Sequence, residues 1–185
     1  MTAAGTPAGH DASCGVAHGS TPARDAPERV LVAVFASPVA GALLRFGAEL
    51  GWRPVLVEPD PDRPAPAGLP AETVRVAGVP GLTGELAGAG TDVVVTDHHR
   101  EELGPLLRDA LTRPVRWVGV MGNPRHEGPH VAALAALGVP VADVARVHRP
   151  IGLDVGSRTP PEIAVATLAG LLADRNGRPG GFFPQ

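Results

Sequence analysis

The stretch Arg29-Val30-Leu31-Val32-Ala33-Val34-Phe35-Ala36-Ser37-Pro38-Val39 decides the fold. The run Val30–Phe35 is continuously apolar, short and bounded by polar or turn residues, as expected of a strand buried on both faces of a parallel sheet. Ser37 suits a helix N-cap, and Pro38 suits the first helical position, where its missing N–H would have no intrahelical partner. Val39, Leu43, Phe46 and Leu50 then follow at helical spacing until Gly51 ends the helix, and Val55-Leu56-Val57 supplies a second buried strand. This is a βαβ unit.

The same alternation continues outward. Pro59–Pro70 is rich in proline and reads as loop, and Thr73–Val76 reads as a shorter edge strand. Thr91–Asp97 is another buried strand, followed by an amphipathic helix marked by Leu103, Leu106, Leu107, Ala110 and Leu111. Val115–Met121 is a further strand, and a third helix carries Val131, Leu134 and Leu137 before stopping at Gly138. Thr159-Pro160-Pro161-Glu162 is a capping box leading a last helix through Ile163, Thr167, Leu168, Leu171 and Leu172. The expected class is therefore α/β: a Rossmann-like, mostly parallel sheet with helices on both faces. Residues 1–27 show no periodicity and read as a disordered N-terminal tail, residues 28–176 as one domain, and residues 177–185 as a flexible C-terminal tail.

Composition narrows the chemistry. The chain has 185 residues, 44% of them hydrophobic, and a net charge of −3, which describes an ordinary globular protein of one domain. All 16 basic residues in the Lys+Arg total are arginine, and tyrosine is absent, so Schiff-base lysines, the lysine of a Walker A loop and tyrosine acids are excluded. Cys14 is the sole cysteine, which rules out an intrachain disulfide or a multi-thiolate zinc site and makes a reducing cytoplasm the default location. The acidic balance offers no global attraction for nucleic acid or a membrane surface, and no run approaches the ~18 apolar residues of a membrane span.

Ligands of open parallel sheets sit outside the carboxyl ends of the strands, so those tips carry the functional reading. At the first tip, Phe35-Ala36-Ser37-Pro38 lacks the glycines that let backbone approach a pyrophosphate, although Glu58 or Asp60 lies where a ribose-binding acid would be. Ordinary NAD(P) or FAD binding is therefore not expected. The later tips are richer: Asp97-His98-His99-Arg100, then Gly122-Asn123-Pro124-Arg125-His126, then His148-Arg149-Pro150-Ile151-Gly152-Leu153-Asp154. They should open on one side of the sheet and offer imidazoles, carboxylates, arginine forks and accessible amides to an anionic, polar heterocycle. If strand geometry persisted through His98 and His99, the two would face opposite ways. His126 and His130 have metal-ligand spacing, but Gly128-Pro129 places the helix start between them, so no metal site is assigned. No serine triad or other catalytic group is assigned either.

The segments Val93–Asp97 with its two histidines, Trp117–His126 and Arg149–Ala164 resemble the C-terminal Rossmann-like domain of the XdhC/CoxI family, the accessory proteins of xanthine dehydrogenase and related molybdenum hydroxylases. The string Ile151-Gly152-Leu153-Asp154-Val155-Gly156-Ser157-Arg158-Thr159-Pro160-Pro161-Glu162-Ile163-Ala164 is the most specific part, and the resemblance covers roughly residues 29–179. It implies a maturation factor rather than a catalyst. Such a protein binds and protects the molybdenum cofactor (molybdopterin), works with a cysteine desulfurase in its sulfuration and passes it to the apo-hydroxylase. Carried over by position, the cofactor-binding residues are Asp97, His98, Gly122, Asn123, Arg125, Gly152, Asp154 and Thr159; His99, His126, Arg149 and Arg158 join them as neighbours on the same tips. Two departures stand out. The family's Gly-x-Gly-His turn is replaced by Phe35-Ala36-Ser37-Pro38, and the 28 residues before the first strand hold no counterpart of the family's separate N-terminal domain. Two other readings stay open, a small nucleotide-binding Rossmann oxidoreductase and a partner-binding module without cofactor, and homo-oligomer formation is also left open.

Overall fold

The computed structural model describes residues 28–122, 125 and 128–182; the segment 1–27, with Cys14, His10 and His18, lies outside the described residues. In chain order the elements are β1 (Val30–Val34), α1 (Pro38–Glu49), β2 (Arg53–Val57), β3 (Val74–Val76), two 3-10 turns (Val79–Gly81 and Gly84–Ala87), β4 (Thr91–Val95), α2 (Leu103–Leu111), β5 (Trp117–Val120), α3 (Pro129–Ala136), α4 (Val141–Val144), β6 (Val147–His148) and α5 (Pro160–Arg175). The sheet order is β3-β2-β1-β4-β5-β6. Every pairing is parallel, with Val30 registered between Arg53 and Thr91. This is the doubly wound Rossmann-like architecture, and its winding direction reverses between β1 and β4.

The alternation of side chains along β1 explains why the whole strand is apolar. Val30, Val32 and Val34 enter one core with Leu103, Leu106 and Leu107 of α2 and Leu134 of α3. Leu31 and Ala33 enter the opposite core with Leu43 and Leu44 of α1 and Leu168 and Leu171 of α5. Each face needs apolar residues at every second position, so a strand covered on both faces has no polar positions to spare. The caps form as the sequence predicts: the Ser37 side chain accepts from the Ala40 amide, and Thr159 and Glu162 complete a reciprocal capping box. Among the described residues, no helix is long and apolar enough to cross a membrane.

Several details differ from the sequence reading: β1 ends at Val34 and not at Phe35, and the edge strand starts at Val74 and not at Thr73. β4 stops at Val95 and not at Asp97, β5 is limited to Trp117–Val120, and the sixth strand, preceded by the short α4, was not anticipated. β6 has only two residues, too few for any periodicity to be visible.

The amino end of the sheet is closed by an ion cluster. Asp92 on β4 has a fully buried side chain. It accepts from Arg116 Nε at 2.6 Å, Arg175 Nε at 2.9 Å and Trp52 Nε1 at 3.2 Å. Arg116 also pairs with Asp174, and Arg175 Nη2 donates to the Gly90 carbonyl, so the end of α5 is tied to β4 and β5. A buried carboxylate with its lone pairs filled is tolerable, whereas removing one member strands the opposite charges. Asp92→Ala is therefore expected to lower the unfolding free energy by about 3–5 kcal/mol, read as a fall in the urea midpoint with unchanged slope. A change below about 1 kcal/mol would mean that the cluster contributes no more than exposed pairs do.

Candidate functional site

At the first strand tip the chain closes on itself. Phe35 follows β1 with φ of 73°, a left-handed conformation that costs a residue with a Cβ roughly 1 kcal/mol. Its ring is fully buried. The next amide, Ala36 N–H, donates to Glu58 Oε2 at 2.7 Å, and the other Glu58 oxygen accepts from the Asp60 amide at 3.0 Å. Arg100 Nη2 reaches Glu58 Oε1 at 3.3 Å and Glu102 Oε1 at 2.9 Å, and its guanidinium lies 4.8 Å from the centre of the Phe35 ring. Arg100, expected beside a ligand-binding tip, is thus turned inward. Hydrogen bonding to Glu102 and the charges of Glu58 and Glu102 hold its pKa above the ordinary value, while Arg100 holds the Glu102 carboxyl below the usual range. Across the switch point, Ser37 Oγ and Thr96 Oγ1 lie 2.9 Å apart, and Thr96 Oγ1 approaches the Phe35 carbonyl at 2.9 Å.

Beside this turn is a cavity of about 450 Å³ between the start of α1, the loop at residues 63–67 and Pro160-Pro161. Its walls are mainly proline and alanine, with Ser37, Arg45 and Arg63 contributing the polar atoms. Pro38, Pro160 and Pro161 remove amide donors, and the Ser37 and Thr159 side chains cap the helix starts, which leaves an apolar recess in place of a phosphate cradle.

The other tips converge on Arg149, which follows β6. The chain bends after β4 because Asp97 Oδ1 accepts from the His99 amide at 3.0 Å, and this turn brings the His98 and His99 rings to 4.0 Å. They do not face opposite sides, as an extended strand would require. A Cβ on Gly122, just past β5, would stand 2.6 Å from Arg149 Nε, so a larger residue would require the guanidinium to move. A Cβ on Gly128, the N-cap position of α3, would meet His130 Nδ1 at 2.4 Å and Arg149 Cδ at 2.9 Å. His130 is buried, and its Nδ1 has no hydrogen-bond partner. Burial first, then Arg149, pushes the His130 pKa below the ordinary imidazole value. His98 is lowered by burial, His99 and Arg149, against opposing pulls from Asp97 and the Met121 backbone.

The structure therefore joins His98, His99, Gly122 and Arg149, beside the half-buried Asp97. It adds His130 and Gly128, for which the sequence offered only the histidine spacing and the Gly-Pro helix start. Asn123 and His126 lie outside the described residues, and Arg125 is exposed. Gly152 rests against the α5 backbone, where a Cβ would stand 3.1 Å from the Ala166 carbonyl, and the Leu153 amide donates to that same oxygen. Asp154 and Arg158 are exposed on the following loop, and Thr159 is the α5 cap. Among the described residues, no group of three or more His, Cys, Asp or Glu side chains could hold a metal ion.

The family described as the XdhC Rossmann domain matches residues 31–171. The chain belongs to that family. The XdhC-type chain is similar to an uncharacterized Escherichia coli (strain K12) protein, YqeB, with 33% identity over 89 residues, covering 48% of this chain and 16% of that protein. It is also similar in fold to a solved structure described as a xanthine dehydrogenase from Bacillus halodurans, with a TM-score of 0.64 and 20% identity, covering 82% of this chain and 45% of that one. The XdhC-type chain thus spans less than half the length of either protein.

The depressed His130 pKa has a signed consequence. The unfolded chain takes up its proton near about pH 6.5, whereas the folded chain does so only lower, so stability rises with pH through that window. In chloride buffers, the wild type should lose stability as the pH falls below about 6.5, with a visibly shallower slope for His130→Phe in urea melts. Equal slopes would contradict the burial of a neutral imidazole.

Proposed function

We propose that this chain is an accessory factor for molybdenum hydroxylases of the xanthine dehydrogenase type, binding the molybdenum cofactor and delivering it to the apo-enzyme. The observation that carries the reading is a contrast between strand tips in a chain of the XdhC Rossmann family. The β1 turn is filled by Glu58, Phe35 and Arg100, whereas the tips of β4, β5 and β6 gather Arg149, His98, His99 and His130.

The residues present fit such a cofactor. Arg149 can fork onto a phosphate, the imidazoles of His98 and His130 can donate to oxygens or ring acceptors, and Gly122 keeps backbone and guanidinium close together. Asp97 and His99 stand beside His98, and Arg125, Asp154 and Arg158 on exposed segments are further candidates, with Asn123 and His126 outside the described residues. Gly152 and Thr159 support the loop carrying Asp154 and Arg158 by packing on and capping α5. In the finished hydroxylase the cofactor supplies the redox chemistry, so this chain needs only to bind, shield and release it. A closed β1 turn speaks against a nucleotide-dependent oxidoreductase, because its Ala36 amide is already committed to Glu58. The apo-hydroxylase and a cysteine desulfurase are the proposed partners, and the cytoplasm the proposed compartment.

Purified protein incubated anaerobically with molybdopterin should retain it through gel filtration, and Arg149→Gln with His98→Asn should cut retention by about tenfold or more, the scale of a lost charge-assisted hydrogen bond. Equal retention by wild type and variant, or none by either, would overturn the reading, as would calorimetric binding of a nicotinamide dinucleotide in its place.

A further inference from the structure

We infer that the N-terminal turn of α3, with His130 and Arg149, forms an oxyanion subsite that takes a phosphate or another tetrahedral anion of that size. Three independent features meet there. The helix start has Gly128 at the N-cap, no side-chain cap and no acidic residue in its first turn; Pro129 donates no N–H, so the positive end of the helix acts there together with the His130 ring and Arg149 in place of a full set of amides. His130 is 6% exposed, and its Nδ1, lying over the Gly128 position, has no hydrogen-bond partner. A buried ring nitrogen in that state is costly unless a ligand or water fills it. Arg149 passes over both glycines, with its Cδ beside His130 and its guanidinium over Gly122, so cation and imidazole are held side by side by backbone that has no side chains of its own.

Among the described residues, the charges around the cluster are compatible with an anion. From the β4 tip, His98 feels the charge of Arg149 and its ring lies 4.0 Å from that of His99, and Asp97, the acidic group acting on His98, is engaged by the His99 amide. His130 and His98 are both held toward the neutral form by burial and by Arg149. A bound oxyanion would reverse that pressure: a neutral imidazole can donate one N–H to it, and a protonated one pairs with it outright. The subsite is deduced from this geometry. It deepens the cofactor reading only in offering the pterin's phosphate as one occupant, a free inorganic anion being the other.

The experiment is a titration of ring-labelled histidine resonances with inorganic phosphate at constant ionic strength, with chloride as the control. The subsite predicts saturable shifts of His98 and His130 and a rise in both pKa values on saturation. It also predicts that saturation is lost in His130→Phe and in Gly122→Ala, whose added methyl displaces the guanidinium. Amide spectra verify that each variant is folded, and Gly122→Ala carries the test alone if His130→Phe does not fold. No saturable shift in the wild type, or equal saturation in the folded variants, overturns the inference. Competition between phosphate and molybdopterin assigns the subsite to the cofactor; phosphate saturation without competition upholds the subsite while counting against its use by the cofactor.

Discussion

Glu58 stands at the carboxyl end of β2 with its side chain removed from solvent, where a carboxylate is tolerated only if its lone pairs are filled. They are filled by the Ala36 amide, the Asp60 amide and Arg100. These bonds determine the path of the chain out of β1, and with it the start of α1, because Ala36 lies between the strand and the Ser37 cap. The left-handed Phe35 becomes bearable in this setting: its ring is packed under the Arg100 guanidinium, and its carbonyl accepts from Thr96. A turn that in a dinucleotide-binding sheet would present amides outward here directs one onto an internal acid.

The consequence is an asymmetry across the molecule. At the amino end of the sheet, Asp92, Arg116 and Arg175 tie strand to helix. At the carboxyl end, closure of the β1 tip moves the accessible polar groups sideways, to the tips of β4, β5 and β6. There the glycines at 122 and 128 give up side-chain volume so that Arg149 and His130 can lie against backbone. Parallel pairing makes this possible, since it brings the carboxyl ends of residues far apart in sequence to one edge.

The fold was largely legible because its signals are local. The continuous apolar run of β1 and the apolar ends of β2 and β4 report burial on both faces, and Ser37 and Thr159 announce helix starts through chemistry confined to one turn. What was missed depends on partners distant in sequence. Glu58 reads as the position of a ribose-binding acid, and only its contacts with Ala36 and Arg100, 22 and 42 residues away, show it to be a structural ligand of the turn. The orientation of His98 and His99 could not follow from alternation, because Asp97 ends the strand pattern with its own side chain. His130 looked like half of a metal pair, and its placement follows instead from the Gly128-Pro129 helix start and from Arg149, which arrives from β6, a strand too short to see.

We propose that ligands are held at the Arg149 cluster and not at the β1 turn. Crystals of the protein soaked with tungstate, a heavy tetrahedral oxyanion, test it most directly by anomalous scattering. A peak is expected within hydrogen-bonding reach of Arg149 and His130, and none at Ala36 and Ser37; a peak at the Ala36–Ser37 turn with the Arg149 cluster empty would overturn this placement.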